Sequence, residues 1–214
     1  AVFLVSPVHP AMRTRELNLA DRAARLEEPP RIVKISGLGT RTDSFVDSGR
    51  WHAEIERGIV DRGLRGTFLR PFYFMQNLAF QARGIRQQGV VRGAVGDAAI
   101  AMVDARDIAE VAAMVLAGGS PIEGEAVSLT GPARITYAEV AALASSAFGR
   151  PVEYQRQTPE EARSALSASG MPAWHLEILL QFNAAFVRGW GGEVSGTVER
   201  VLGRPARPLS AYLQ

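Results

Sequence analysis

Few side chains in this sequence carry reactive chemistry, and most of those stand alone. There is no cysteine, and there are three histidines. Without cysteine there are no disulfides and no thiolate nucleophile. His9 and His175 have no companions at metal-ligand spacing, and no metal site is expected. G-x-S-x-G, H-E-x-x-H and the P-loop pattern are all absent. Asp104 and Asp107 read as helix-capping residues rather than a carboxylate pair. Glu54 and Glu56 read as a solvated helix face.

What remains clusters around short strands. Ser36 closes the apolar run Arg31-Ile32-Val33-Lys34-Ile35, and Gly37 and Gly39 follow it. A hydroxyl there sits at the carboxyl edge where open α/β sheets bind ligands; the competing reading is a plain turn residue. Ser36 to Thr42 approximates the G-x-G-x-x-G loop that holds a pyrophosphate at a helix N-terminus. Thr42 stands at the third glycine position, no helix starts there, and no acidic residue closes a following strand. The stretch therefore reads as a turn. His52 lies toward the start of a helix striped by Trp51, Ile55 and Ile59. Phe72, Tyr73, Phe74 and Met75 precede Asn77. They are either core packing at a strand–helix join or the apolar wall of a substrate site with Asn77 as its polar anchor.

These residues need elements to hold them. Val2 to Val5 form an unbroken apolar run ending at Ser6-Pro7, which reads as a strand buried on both faces. A helix is expected over about 13–26, stopped by Pro29-Pro30. Strands are expected at Arg31–Ser36 and from Thr67, cut by Pro71, with the Trp51 helix between them closing near Gly63. Crossovers of this length make parallel strands the simplest arrangement. Further on, Ala99–Val103 reads as a strand, and Asp104 as the N-cap of a helix burying Ile108, Val111, Ala112 and Val115. Glu125–Leu129 reads as a strand. Thr136 and Glu139 form a capping box for a helix reaching Phe148. About 158–186 reads as helical, and 194–214 as a broken helical tail.

A chain of 214 residues, 47% apolar, can bury a sizeable core. A net charge of +2 without a basic tract gives no reason to expect nucleic acid. The first run has no basic flank and meets Pro7 and Pro10, so it does not read as a signal peptide. No later run is long enough to span a membrane. A cytoplasmic protein is expected.

The segments VFLVSP, IVKISGLGT, WHAEIERGIVDRGLRGTFLRPFYFMQNL, MVDARDIAEVAAMVL and SLTGPARITYAEVAAL, with the tail VERVLGRPARPLSAYL, occur in order over nearly the whole chain. Together they resemble the NmrA-like branch of the atypical short-chain dehydrogenase/reductases. The resemblance implies an α/β fold. It is a Rossmann-like parallel sheet of order 3-2-1-4-5-6 with a small C-terminal lobe over about 120–214, all within one domain, 1–214. VFLVSP looks like strand four, so strands one to three and the glycine-rich loop are missing from the sequence. Val2–Val5 then forms an apolar edge open to self-association. The resemblance implies NADP or NAD as cofactor and hydride transfer to a quinone-like or other conjugated small acceptor. The alternatives are a non-catalytic NAD(P)-binding sensor or regulator, and an inactive fragment without the phosphate loop.

By resemblance, Ser6, Pro7, Ser36, Gly37, His52, Arg70, Pro71 and Phe72 are expected to face the cofactor, and Tyr73, Phe74 and Asn77 the substrate. His52 looks like the position where the wider superfamily has the lysine of its Tyr-x-x-x-Lys pair. Ser48 stands where the tyrosine belongs, so the usual acid is absent. His52 is the one candidate catalytic residue, with a structural histidine as the competing reading. Arg70 reads equally as an ion-pair partner. Residues 1–214 alone are expected to bind no measurable NADPH. An upstream segment carrying strand–GxxGxxG–helix is expected to restore binding.

Overall fold

Apolar runs too short for helices alternate with amphipathic stretches too long for turns, and the chain folds accordingly. The computed structural model describes residues 1–214. In order, its elements are β1 (Val2–Leu4), α1 (Met12–Ala23), β2 (Ile32–Ile35), α2 (Asp47–Asp61), β3 (Gly66–Pro71), a 3-10 segment (Met75–Gln81), α3 (Ala82–Gln88) and β4 (Val90–Gly93). Then come α4 (Ala105–Ala117), β5 (Ala126–Leu129), α5 (Tyr137–Phe148), β6 (Glu153–Arg156), α6 (Pro159–Ala168), α7 (Ala173–Val187), α8 (Thr197–Leu202) and α9 (Leu209–Tyr212). They belong to two units. One comprises Ala1–Phe72, Arg106–Leu129 and Gly196–Pro205, the other Tyr73–Ala105, Thr130–Ser195 and Ala206–Gln214.

The first unit holds a parallel sheet of order β1-β2-β3-β5. Val2 pairs with Ile32, Ile32 with Gly66, and Phe68 with Ala126. Leu4, Ile32 and Phe68 share a core with Met12 and Ala20 of α1 and Ile55 and Ile59 of α2. The two helices approach closely because position 58 is glycine: a Cβ there would stand 2.5 Å from Leu17 Cδ2. Across the sheet, the Arg31 guanidinium reaches the Val115 and Leu116 carbonyls at 3.5 and 3.4 Å, serving the C-terminal end of α4.

One expectation fails in this unit. β1 is buried on one face only: Leu4 is buried, but Phe3 is 43% exposed and Val5 is 56% exposed. An apolar run does not reveal how many layers cover it, and β1 is the edge of its sheet, paired only with β2.

The second unit carries a small sheet that the sequence did not announce, β4 beside β6, parallel, with Val90 opposite Glu153. Its strands, Val-Val-Arg-Gly and the polar Glu-Tyr-Gln-Arg, are four residues long, below what periodicity resolves. Ala99–Val103 is not a strand. Ile100 and Val103 make only isolated bridges, to Ile135 and Phe74. The helical stretch over 158–186 is two helices, separated where Gly170 takes a left-handed φ of 75° ahead of Pro172. The Thr136–Glu139 capping box is present with both bonds, and an equivalent box at Thr158–Glu161 opens α6.

Candidate functional site

The carboxyl ends of β1, β2 and β3 lie side by side because the strands are parallel and in register. Past β2 the chain stays tied to β3. Ser36 N donates to the Leu69 carbonyl at 2.7 Å, and Leu38 N to the Pro71 carbonyl at 3.1 Å. The Thr40 hydroxyl closes the turn by donating to the Gly37 carbonyl at 2.6 Å. The first turn of α2 packs tightly on this loop, since a Cβ on Gly49 would fall 2.4 Å from the Gly39 carbonyl oxygen. No helix grows from the glycine turn, because α2 begins only at Asp47.

α2 also delivers His52, whose ring lies against Gly37. A Cβ on Gly37 would stand 3.5 Å from both Cδ2 and Nε2 of the imidazole. His52 and Ser36 are buried, and His52 Nδ1 and Ser36 Oγ are both without a hydrogen-bond partner. Buried polar atoms are nearly always paired, and these two, like Ser120 Oγ elsewhere, are polar groups for which the protein supplies no partner. The imidazole ionises at about 3, held down first by burial and then by the charges of Lys34 and Arg70. At neutral pH it is uncharged, so its chemistry is hydrogen bonding.

Beneath this pair lies a charged cluster. Lys34 is fully buried on β2, and its ammonium donates to Glu16 on α1 at 2.6 Å and to the Ile35 carbonyl at 3.0 Å. The Ser6 hydroxyl donates to the same carboxylate. Burial lowers the Lys34 pKa, and Glu16 opposes that effect. Glu56, one turn after His52, is buried and takes two bonds from Arg70, at 2.5 and 3.1 Å. It is therefore no solvated helix residue: the ladder brings Arg70 under α2 and gives the carboxylate a partner.

The structure thus brings Ser36, Gly37 and His52 together. Ser6 and Arg70 lie in the same unit, but their polar atoms are committed to Glu16 and Glu56. Pro7 is exposed beyond β1. Pro71 ends β3, and Phe72 is buried, its N–H extending the ladder to Leu129 at 3.0 Å. Tyr73, Phe74 and Asn77 belong to the second unit. There the half-buried Tyr73 accepts a hydrogen bond from the Tyr137 hydroxyl at 3.4 Å and meets Phe186 edge-on at 5.6 Å. Phe74 bridges Val103, and Asn77 N donates to the Phe74 carbonyl at 3.0 Å.

Sequence reasoning overlooked Glu16 and Lys34 and placed Glu56 on a solvated face, whereas all three are buried. The signals were there. Lys34 interrupts a strand read as buried, and Glu16 falls on the stripe Met12, Ala20, Ala23. A charge in either place needs a partner.

Open parallel α/β sheets bind their ligands at the carboxyl edge of the strands, where Ser36 and His52 stand. No protein-family model matches the chain, but curated relatives do. The chain is 36% identical over 211 residues to the NAD(P)H azoreductase of Xenophilus azovorans, spanning 99% of this chain and 73% of that protein. It is 37% identical over 210 residues to the (4-alkanoyl-5-oxo-2,5-dihydrofuran-3-yl)methyl phosphate reductase of Streptomyces griseus, spanning 98% and 73%. Among solved structures, the NADPH-dependent quinone oxidoreductase of Escherichia coli complexed with NADPH matches with a TM-score of 0.88 at 25% identity, over 99% of this chain and 73% of that one. The chain belongs to the NmrA-like family of NAD(P)H reductases, whose cofactor is NADP(H) or NAD(H). A neutral imidazole nitrogen and a hydroxyl suit the ribose and carboxamide of such a cofactor. The turn at Gly37–Gly39, with no helix behind it, does not suit its phosphates.

No helix of the chain is long and apolar enough to cross a membrane.

Proposed function

We propose that this chain is a cytoplasmic NAD(P)H-dependent reductase that reduces a quinone-like or other conjugated small acceptor. The observation that supports it is the pair of buried, unpartnered atoms Ser36 Oγ and His52 Nδ1 at the carboxyl edge of a parallel sheet. The bound cofactor supplies the hydride. Ser36 and His52 hydrogen-bond its nicotinamide end, and Gly37 leaves room for the ring of His52. His52 orients the cofactor rather than giving up a proton, since it carries no second proton at neutral pH. A conjugated acceptor suits such a site, because its reduced form takes its proton from water.

Further parts of the reading concern Pro7 and Pro71, which flank the cofactor edge, and Tyr73, Phe74 and Asn77, which contact the acceptor. The open edge of β1 pairs with a second copy of the chain. The neutrality of His52 equally suits a sensor that binds NAD(P)(H) without turnover, and one experiment separates the two. NADPH oxidation is followed at millimolar cofactor with a panel of benzoquinones and naphthoquinones. Acceptor-dependent oxidation above the uncatalysed rate supports the reductase, and its absence alongside cofactor binding supports the sensor.

A further inference from the structure

The second unit holds a cleft for which the reductase reading has no use. It encloses about 500 Å³, the size of a small-molecule site. Its floor is apolar: Leu78, Ile85, Val140 and Ala144 line it, and all four are buried. The only charged residues lining it are Arg86 on α3 and Arg150 just after α5. The fold brings these two together. α3 ends where Gly89 takes a left-handed φ of 66°, and a Cβ there would stand 2.9 Å from the Pro151 carbonyl oxygen. The pairing of β4 with β6 fixes that contact, with Glu153 N donating to the Gly89 carbonyl at 2.8 Å. The Arg150 guanidinium donates to the Ile85 carbonyl, one residue before Arg86. That bond serves the C-terminal end of α3 and uses one of the five guanidinium N–H groups. Neither arginine has a carboxylate partner, and from Tyr73 to Gly96 the chain carries Arg83, Arg86 and Arg92 but no Asp or Glu. A cleft lined by one sign of charge concentrates ions of the other.

We propose that this cleft binds a medium-chain carboxylate, its apolar tail on Leu78, Val140 and Ala144 and its head hydrogen-bonded by Arg86 and Arg150. Both halves of the cleft are needed to specify that chemistry. An inorganic anion gains nothing from the apolar floor, and a neutral alkyl chain gains nothing from the arginines. An alkyl cation meets two like charges. A carboxylate matches the planar guanidinium fork, and its tail removes apolar surface from water. Every residue in the inference belongs to the second unit, so it stands independently of the nicotinamide reading.

The test titrates the chain with octanoate, 1-octanol and octyltrimethylammonium, which share a tail and differ in the charge of the head. It reads the Leu78 and Val140 methyl resonances by NMR. Three proteins are compared: wild type, Arg86→Gln/Arg150→Gln, and Ala144→Phe, which fills the floor. In wild type, octanoate is expected to shift both residues and to bind about tenfold or more tightly than octanol, the worth of one charge-assisted hydrogen bond. The alkyl cation should leave both resonances in place. The arginine variant should bind octanoate and octanol alike, and Ala144→Phe should bind neither. Three results overturn the inference: no shift in wild type at millimolar octanoate, equal binding of octanoate and octanol by wild type, or a preference for octanoate that survives in the arginine variant. If Ala144→Phe instead shifts sedimentation toward monomer, a second copy of the chain fills the cleft and the inference falls. If Ala144→Phe does not fold, wild type and the arginine variant decide the matter, since Arg86 and Arg150 are both exposed and their replacement leaves the core intact.

Discussion

His52 and Lys34 are two ionisable groups buried for different reasons, and each leaves its own mark on stability. The folded imidazole ionises at about 3 and the free one at 6.5. Below the free value the unfolded chain takes a proton that the folded chain refuses. Stability present above that pH is therefore lost as pH falls toward the folded value, by about 1.4 kcal/mol per pH unit. We expect urea unfolding of wild type and His52→Gln to diverge by that slope between about pH 6 and about pH 4; parallel curves would show an imidazole that ionises freely. Lys34 is held by Glu16, and the pair stands or falls together. Lys34→Ala leaves the buried Glu16 carboxylate without a countercharge, with only the Ser6 hydroxyl bonded to it, at a cost of about 3–5 kcal/mol, whereas Lys34→Met/Glu16→Leu should lie within about 1–2 kcal/mol of wild type. Denaturant midpoints decide it, and a mild single variant would mean that Glu16 finds another partner. The sequence displayed Ser36 and His52 openly, because a strand end and a helix stripe are local patterns. It did not display that Ser6 and Arg70 turn their polar atoms inward, because a side chain's partner lies on another element.

Elements were legible where a pattern of 3.6 or 2 runs long enough to repeat. α2 and α4 show their buried stripes, and the Thr136–Glu139 box shows its own start, so their limits match within a few residues. β4 and β6 were not legible, since each is only four residues long, and they exist only through one another. The loop between β2 and α2 was legible as a turn, but its tightness was not. Gly49 sits 2.4 Å, by the Cβ it lacks, from the Gly39 carbonyl oxygen. Gly49→Ala should force that loop off the helix, costing about 1–3 kcal/mol as an overpacked contact. Hydrogen exchange localises the effect: residues 37–46 should lose protection while β5 keeps it. Uniform loss, or none, contradicts the packing described. Thr136→Ala, at an exposed cap with two bonds to Glu139, should cost only about 1 kcal/mol by thermal unfolding and leave the first unit's site untouched.

For the whole molecule, the resemblance read from ordered segments carried further than any single motif, and the curated relatives place the chain in the same family. The open edge of β1 bears Phe3 and Val5, which are 43% and 56% exposed. Charges on an edge discourage pairing, so Phe3→Lys/Val5→Lys should shift sedimentation toward monomer if copies associate there; unchanged sedimentation of an associating wild type places the contact elsewhere. The glycine turn that follows β2 does not lead into a helix, since α2 begins only at Asp47. Each charge-assisted bond to a phosphate contributes roughly 1.5–3 kcal/mol. Two or three such bonds correspond to about two to six orders of magnitude in cofactor affinity. The central claim is that Ser36 and His52 hold the nicotinamide end of a hydride donor, and quinone reduction at graded NADPH tests it most directly. The predicted rate rises in proportion to NADPH into the millimolar range without saturating, and Ser36→Ala lowers its slope by about tenfold, the loss of one buried hydrogen bond. A wild-type rate no greater than the uncatalysed one at every concentration, or an equal slope in Ser36→Ala, would contradict it.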